Sequence, residues 1–164
     1  MLNNYPKDFY IEKFTERQFD EIWKAAAKQS SRSTFARFKT GAVIFDNKTA
    51  EIIAAGCSND RIDSLVSTNS VHAEADALQK IYGNLSGYSI LVLTLNQSGR
   101  VATSSRPCYS CAASLARREI DYIYYPEKLN DGSWVLNKES SLYLYNKGME
   151  SGATFSKYAS KMRV

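Results

Sequence analysis

A histidine stands two positions ahead of a glutamate at His72, Ala73 and Glu74, and 35 positions after that histidine come Pro107, Cys108, Tyr109, Ser110 and Cys111. Two thiolates and an imidazole form a three-ligand set for zinc, and three protein ligands leave the fourth tetrahedral position to water, as a catalytic site requires. Zinc in such a set lowers the pKa of bound water from 15.7 to about 7. Glu74 is not needed as a ligand, so its carboxylate is free to take a proton from that water and return it to a leaving group. The chemistry these residues suit is metal-assisted hydrolysis, with His72, Cys108 and Cys111 holding Zn2+ and Glu74 as general acid and base.

Other readings of the same residues stay open. A Cys-x-x-Cys pair alone serves dithiol redox chemistry, which leaves His72, Glu74 and Pro107 without a role. Glu74 near a helix start complements the helix dipole. Cys57 as a fourth ligand would close the site and make the protein a non-enzymatic structural-zinc module, whereas a small buried Cys57 at a strand end would leave the site open. Three cysteines are an odd number for a disulfide framework, which also favours metal chemistry.

The elements that must position these residues are legible in part. Thr15 and Gln18 have the form of a capping box, and Phe19, Ile22, Trp23 and Ala26 recur at helical spacing, predicting a helix to about Gln29. Gly41 to Phe45 and Glu51 to Ala55 read as a hairpin turned by Asp46, Asn47 and Lys48. A second helix opens with His72, carries Ala75, Leu78, Ile81 and Tyr82 on one face and meets Gly83 as its C′ residue. Ser89 to Leu95 is the most apolar strand, and a polar insertion from Asn96 to Arg106 leads beside the pocket to Pro107, which suits the first turn of a third helix. Cys108, Cys111, Ala112 and Leu115 share a face of that helix. Tyr122 to Tyr125 reads as a strand, and Asp131-Gly132 turns into Trp134, Val135 and Leu136, with a C-terminal helix beyond. Strands alternating with helices predict an α/β fold with helices packed on a mixed sheet.

Composition bounds the rest. The chain has 164 residues, 44% hydrophobic and 23% charged, with no repeat or linker, which suits one domain over 1–164. A net charge of +4 permits a phosphate-bearing partner. The apolar run from Ile90 to Leu95 is far short of the roughly 20 residues that span a membrane. Met1 to Tyr10 lack the pattern of a secretory signal, so a cytoplasmic protein is expected. Eleven tyrosines could stack on single-stranded nucleic acid, but Tyr122, Tyr124 and Tyr125 fall in a strand and read as structural. Arg117, Arg118 and Lys128 would bind phosphate only if they border the pocket.

H-x-E followed by P-C-x-x-C is the signature by which zinc-dependent nucleobase deaminases are recognised, and on it the chain resembles the cytidine deaminase-like superfamily. The resemblance runs from about Phe35 to Tyr125. It includes Phe38-Lys39-Thr40-Gly41-Ala42-Val43, similar to the segment that opens the first strand in cytidine and deoxycytidylate deaminases, and Gly56 to Asn59, similar to their second-strand exit. It implies a three-layer α-β-α sandwich with a mixed five-stranded sheet. It also implies hydrolytic deamination of cytosine in a nucleoside or nucleotide. Glu74 would touch the ring N3, the Ala73 N–H would meet the ring carbonyl, and Asn59 would hold the sugar. Phe38 would lie against the base or in the core. An antiparallel last strand pair is expected, as in the cytidine deaminase branch; relatives acting on tRNA adenosine or deoxycytidylate have a parallel pair. The second motif lacks the Gly and Arg-Gln of free-nucleoside deaminases, which leaves the substrate open. With the basic charge and the tyrosines serving a single strand, the alternative is a base in single-stranded nucleic acid or tRNA. The resemblance implies a homo-oligomer.

Overall fold

The structure, a computed structural model, describes residues 5–150 except 36, 64, 65 and 103, with the backbone alone at 60–63, 66–70 and 148–150. The expected single domain over 1–164 therefore includes two termini, 1–4 and 151–164, outside the described residues. The elements are α1 (Glu16–Ser31), β1 (Lys39–Asp46), β2 (Ile52–Cys57), β3 (Asn59–Asp63), β4 (Val66–Val71), α2 (Ala73–Leu78), β5 (Tyr88–Leu95), α3 (Tyr109–Arg117), β6 (Tyr122–Lys128), β7 (Trp134–Ser140) and α4 (Ser141–Glu150).

Helix α1 starts at the capping box its sequence announces. The Gln18 N–H donates to Thr15 Oγ1 at 3.1 Å while the Thr15 N–H donates to Gln18 Oε1 at 2.9 Å, satisfying two donors that a helix start leaves open. Its apolar face buries Phe19, Ile22, Trp23 and Ala26.

Five strands form one sheet in the order β2-β1-β5-β6-β7. β1 pairs antiparallel with both β2 and β5, β5 pairs parallel with β6, and β6 pairs antiparallel with β7. The last strand pair thus has the expected antiparallel sense. Its turn is set by Asp131, whose carboxylate accepts the Ser133 N–H at 2.9 Å, and by Gly132 at φ +87, a conformation that only glycine adopts without strain.

Alternation along the strands divides the interior into two cores. Ala42, Ile44, Ile90, Val92, Ile123 and Tyr125 pack with α2, α3 and Leu144 of α4. Val43, Phe45, Leu91, Leu93 and Tyr124 face the opposite way, onto Phe19, Ile22 and Trp23 of α1 with Phe9 and Ile11. The result is the three-layer α-β-α sandwich with a mixed five-stranded sheet. Tyr124 and Tyr125 are both buried, so neither is available for stacking on a nucleic acid.

Three expectations need correction. β3 and β4 form a separate two-stranded antiparallel ribbon between β2 and α2, where no strand is expected. The second helix ends at Leu78 with Gln79 as its C-cap, so Gly83 is not its C′ residue and Tyr82, 94% exposed, is not on its core face. The third helix takes Cys108 as its N-cap, which puts Pro107 outside the helix. Among the described residues, no helix is long and apolar enough to cross a membrane.

Candidate active site

The paired stretch of β5 and β6 runs from Ser89 and Tyr122 to Leu91 and Tyr124. Farther along, Ser105 stands between the strands: its hydroxyl accepts the Thr94 N–H at 2.8 Å, and its own N–H donates to the Pro126 carbonyl at 3.2 Å. A crevice at the carboxyl ends of parallel strands is where α/β sheets place their ligand sites. Here it is a cavity of about 360 Å³, within the range of small-molecule sites.

Two helices begin against this cavity, and the residue that opens each belongs to a His-Cys-Cys group that could hold a metal ion. His72 is the N-cap of α2 and Cys108 the N-cap of α3, both with extended backbone, and neither side chain caps its own helix. Cys111 follows in the first turn of α3. The His72 Nδ1 lies 3.5 Å from Cys108 Sγ and 3.3 Å from Cys111 Sγ. Zn–S bonds of about 2.3 Å and Zn–N bonds of about 2.0–2.1 Å at tetrahedral angles separate sulfur from nitrogen by about 3.5 Å. All three ligand atoms lie within 4.8 Å of one another, so the set fits zinc.

The electrostatics are those of a shared proton. Hydrogen bonding from Cys111 holds the Cys108 thiol down to about 3, helped by His72 and Ser110, and the same bond together with burial pushes Cys111 well above the ordinary thiol range. A thiolate is the form that binds metal. Glu74, in the first turn of α2, is only 4% exposed, and burial pushes its carboxyl up, opposed by its own backbone N–H and by His72.

The cavity wall includes His72, Ala73, Glu74, Cys108, Phe35 and Phe38. Ala73 is the first residue of α2, where backbone N–H groups lack intrahelical acceptors. Phe38 is 53% exposed, a cavity-wall residue outside both hydrophobic cores.

A profile of the family described as "Cytidine and deoxycytidylate deaminase zinc-binding region" matches residues 15–127. The chain belongs to this family. Among solved structures, the cytidine deaminase of Burkholderia pseudomallei aligns with 80% of this chain and 96% of its own, at 16% identity and a TM-score of 0.54, and shows the same fold. The cytidine deaminase of Mycobacterium leprae aligns with 77% of this chain and 95% of its own, at 18% identity and a TM-score of 0.49. No curated protein sequence matches the chain.

The site of this deaminase-family chain thus gathers His72, Cys108 and Cys111 with Glu74, Ala73 and Phe38. Asn59 is not brought to the cavity wall: its amide donates to the Cys57 carbonyl and to Cys57 Sγ, each at 3.3 Å. Cys57 itself is buried at the end of β2 and is not part of the donor cluster. Arg117, Arg118 and Lys128 do not line the cavity. Arg118 instead donates to the carbonyls of Leu78, Ile81 and Gly83.

Sequence reasoning missed Thr40, Ser58 and Thr94 in the polar part of the wall. Thr40 and Thr94 join their hydroxyls at 2.9 Å, and Ser58 pairs with Ser33 at 2.8 Å. Ser104, Ser105 and Arg106, the end of the polar insertion expected beside the pocket, complete it. The available signal was position: Arg106 directly precedes Pro107-Cys108, so whatever places Cys108 places Arg106 as well.

Proposed function

We propose that this chain is a zinc-dependent hydrolytic deaminase that converts cytosine in a nucleoside or nucleotide to the uracil product and ammonia. The observation that carries this reading is Glu74, a buried carboxylate on the same cavity wall as the donors His72 and Cys108. Zinc bound by His72, Cys108 and Cys111 supplies the Lewis acidity that makes water nucleophilic near neutral pH. Glu74 takes the proton that the attacking water loses and delivers it to N3 as the water oxygen bonds to C4. It then takes the proton of the new C4 hydroxyl and gives it to the C4 amino group, and the C–N bond breaks as the C4 carbonyl forms and ammonia departs.

The other wall residues orient the base. The Ala73 N–H holds the ring carbonyl, and Phe38 covers the ring. Contact between Asn59 and the sugar requires its amide to turn away from Cys57, giving up two long hydrogen bonds. The position of Cys57 outside the donor cluster supports an open, catalytic zinc over a closed structural one. The antiparallel β6–β7 pair supports the cytidine branch.

The test is ammonia release by the zinc-loaded protein on cytidine, deoxycytidine, their monophosphates, the adenine and guanine counterparts, and a single-stranded oligonucleotide. A signal on a monomeric cytosine compound is the expected result. Activity on the oligonucleotide alone would reassign the substrate to nucleic acid, and silence on the whole panel would overturn the enzymatic reading.

A further inference from the structure

Two arginines, one before α3 and one at its end, are used in opposite ways. Arg118 spends its guanidinium on the carbonyls of Leu78, Ile81 and Gly83, at 3.2, 2.5 and 2.7 Å. Arg106 makes no hydrogen bond to the described residues, and its ion pair with Glu139 is a loose 3.8 Å. That spacing is beyond hydrogen-bond range, and with the Arg106 side chain 42% exposed such a pair contributes little. The Glu139 carboxylate has a closer partner, accepting the Tyr125 hydroxyl at 2.7 Å.

Arg106 is nevertheless held in place. Its neighbour Ser105 is bonded to β5 through Thr94 and to β6 through Pro126, and Cys108 two residues on is a zinc donor. The backbone on both sides is fixed to the sheet or to the metal site, so the guanidinium is mounted on a rigid part of the wall. Among the described residues lining the cavity, Arg106 is the one Lys or Arg, and Ser104 and Ser105 stand beside it.

An arginine with uncommitted donors, flanked by hydroxyls, in the wall of a small cavity is suited to a phosphate, which its planar fork binds in bidentate fashion. We propose that Arg106 binds the phosphate of a nucleoside monophosphate, so that the substrate class of this site is a nucleotide rather than a free nucleoside. This rests on the deaminase reading above and narrows it. The β6–β7 hairpin is the arrangement of the nucleoside branch, so phosphate recognition here depends on the segment before Cys108, not on the strand order. One cation in the wall matches one phosphate. A bound single strand is instead tracked by a positively charged groove with several phosphate contacts.

The experiment is calorimetric binding to the zinc-loaded chain, using compounds that cytosine deamination cannot consume: UMP against uridine, AMP against adenosine, and a single-stranded oligonucleotide. UMP should bind at least tenfold more tightly than uridine, and Arg106→Gln should lower UMP affinity at least tenfold more than uridine affinity. Glu139→Gln keeps an acceptor for Tyr125 but removes the carboxylate that competes for Arg106, so it should raise UMP affinity about threefold. Should Arg106→Gln fail to fold, Glu139→Gln decides alone, and an unchanged or lowered UMP affinity overturns the assignment. Equal binding of nucleotide and nucleoside in both pairs, or an Arg106→Gln loss shared equally by the nucleoside, also overturns it, while ammonia release from cytidine would still stand. A loss confined to the oligonucleotide overturns it too. An Arg106-dependent gain seen with AMP and not UMP would uphold the phosphate site and refute cytosine as the base.

Discussion

The Asp76 carboxylate accepts the backbone N–H of Cys57 at 3.0 Å, tying the helix that His72 caps to the outer edge of β2. Lys80 completes the tie, reaching the Ala55 carbonyl at 2.6 Å and Asp76 at 3.3 Å. One N–H and one carbonyl of an edge strand are thereby satisfied by α2 and the turn after it. Asp76→Ala should cost about 2 kcal/mol, the worth of a hydrogen bond to a charged group. Urea unfolding should show it as a lowered midpoint with an unchanged slope.

Glu74 and Cys108 should separate catalysis from metal binding. Glu74→Gln is expected to keep zinc at parental stoichiometry while ammonia release falls about 10²–10⁴-fold. Cys108→Ala should lose both. Metal analysis of the purified variants beside the ammonia assay reads the two effects, and undiminished turnover by Glu74→Gln would refute the proton-transfer role.

Cys57→Ser tests whether the zinc site is open. Cys57 lies outside the donor cluster, so competition with a chelator should return the parental zinc affinity. A tenfold fall would make Cys57 a fourth ligand.

Arg118 is a structural cation. Its three bonds fasten the end of α2 and the turn after it, and Arg118→Ala should cost about 2 kcal/mol. Arg118→Lys should recover only part, because an ammonium lacks the planar fork. Thermal unfolding measures both.

Gly56 and Gly41 mark where helices come closest to the sheet. A Cβ on Gly56 would lie 2.4 Å from the Ala77 nitrogen and 2.6 Å from the Ala73 carbonyl oxygen, and one on Gly41 would lie 2.2 Å from the Ala26 carbonyl oxygen. Each Gly→Ala change should cost about 3 kcal/mol, since backbone on both sides must move. Gly56→Ala displaces α2 and should weaken zinc binding as well. Gly41→Ala displaces α1 on the opposite face and should leave zinc affinity at its parental value.

What the sequence showed follows from what kind of force holds each element. α1, β1 and β5 bury continuous apolar faces, so their residue period names them. The donor set is legible because zinc restricts both ligand type and spacing. The β3–β4 ribbon was not legible, because Asn-Asp-Arg-Ile-Asp and Val-Ser-Thr-Asn-Ser-Val show no regular apolar alternation. The end of α2 was misread because Ile81 does pack on the core, although from beyond the helix. Pro107 was placed two positions too far in, because α3 starts at Tyr109 and Cys108 takes the N-cap position without capping. Arg106 was placed beside the pocket as the end of the polar insertion but given no role, because an arginine in the wall of a cavity and one on a solvated surface look alike until the fold puts a cavity beside it.

His72 and Cys108 are 36 positions apart in the chain, with β5 laid between them at the centre of the sheet. Closing a loop of that length costs an unfolded chain about 3 kcal/mol of entropy, a cost the paired central strands of the folded sheet have already met. Zinc bound by the folded chain in preference to the unfolded one would add its binding energy to the stability of the fold. A metal held there would then act as a latch, coupling the lifetime of the chain against unfolding to the supply of zinc around it.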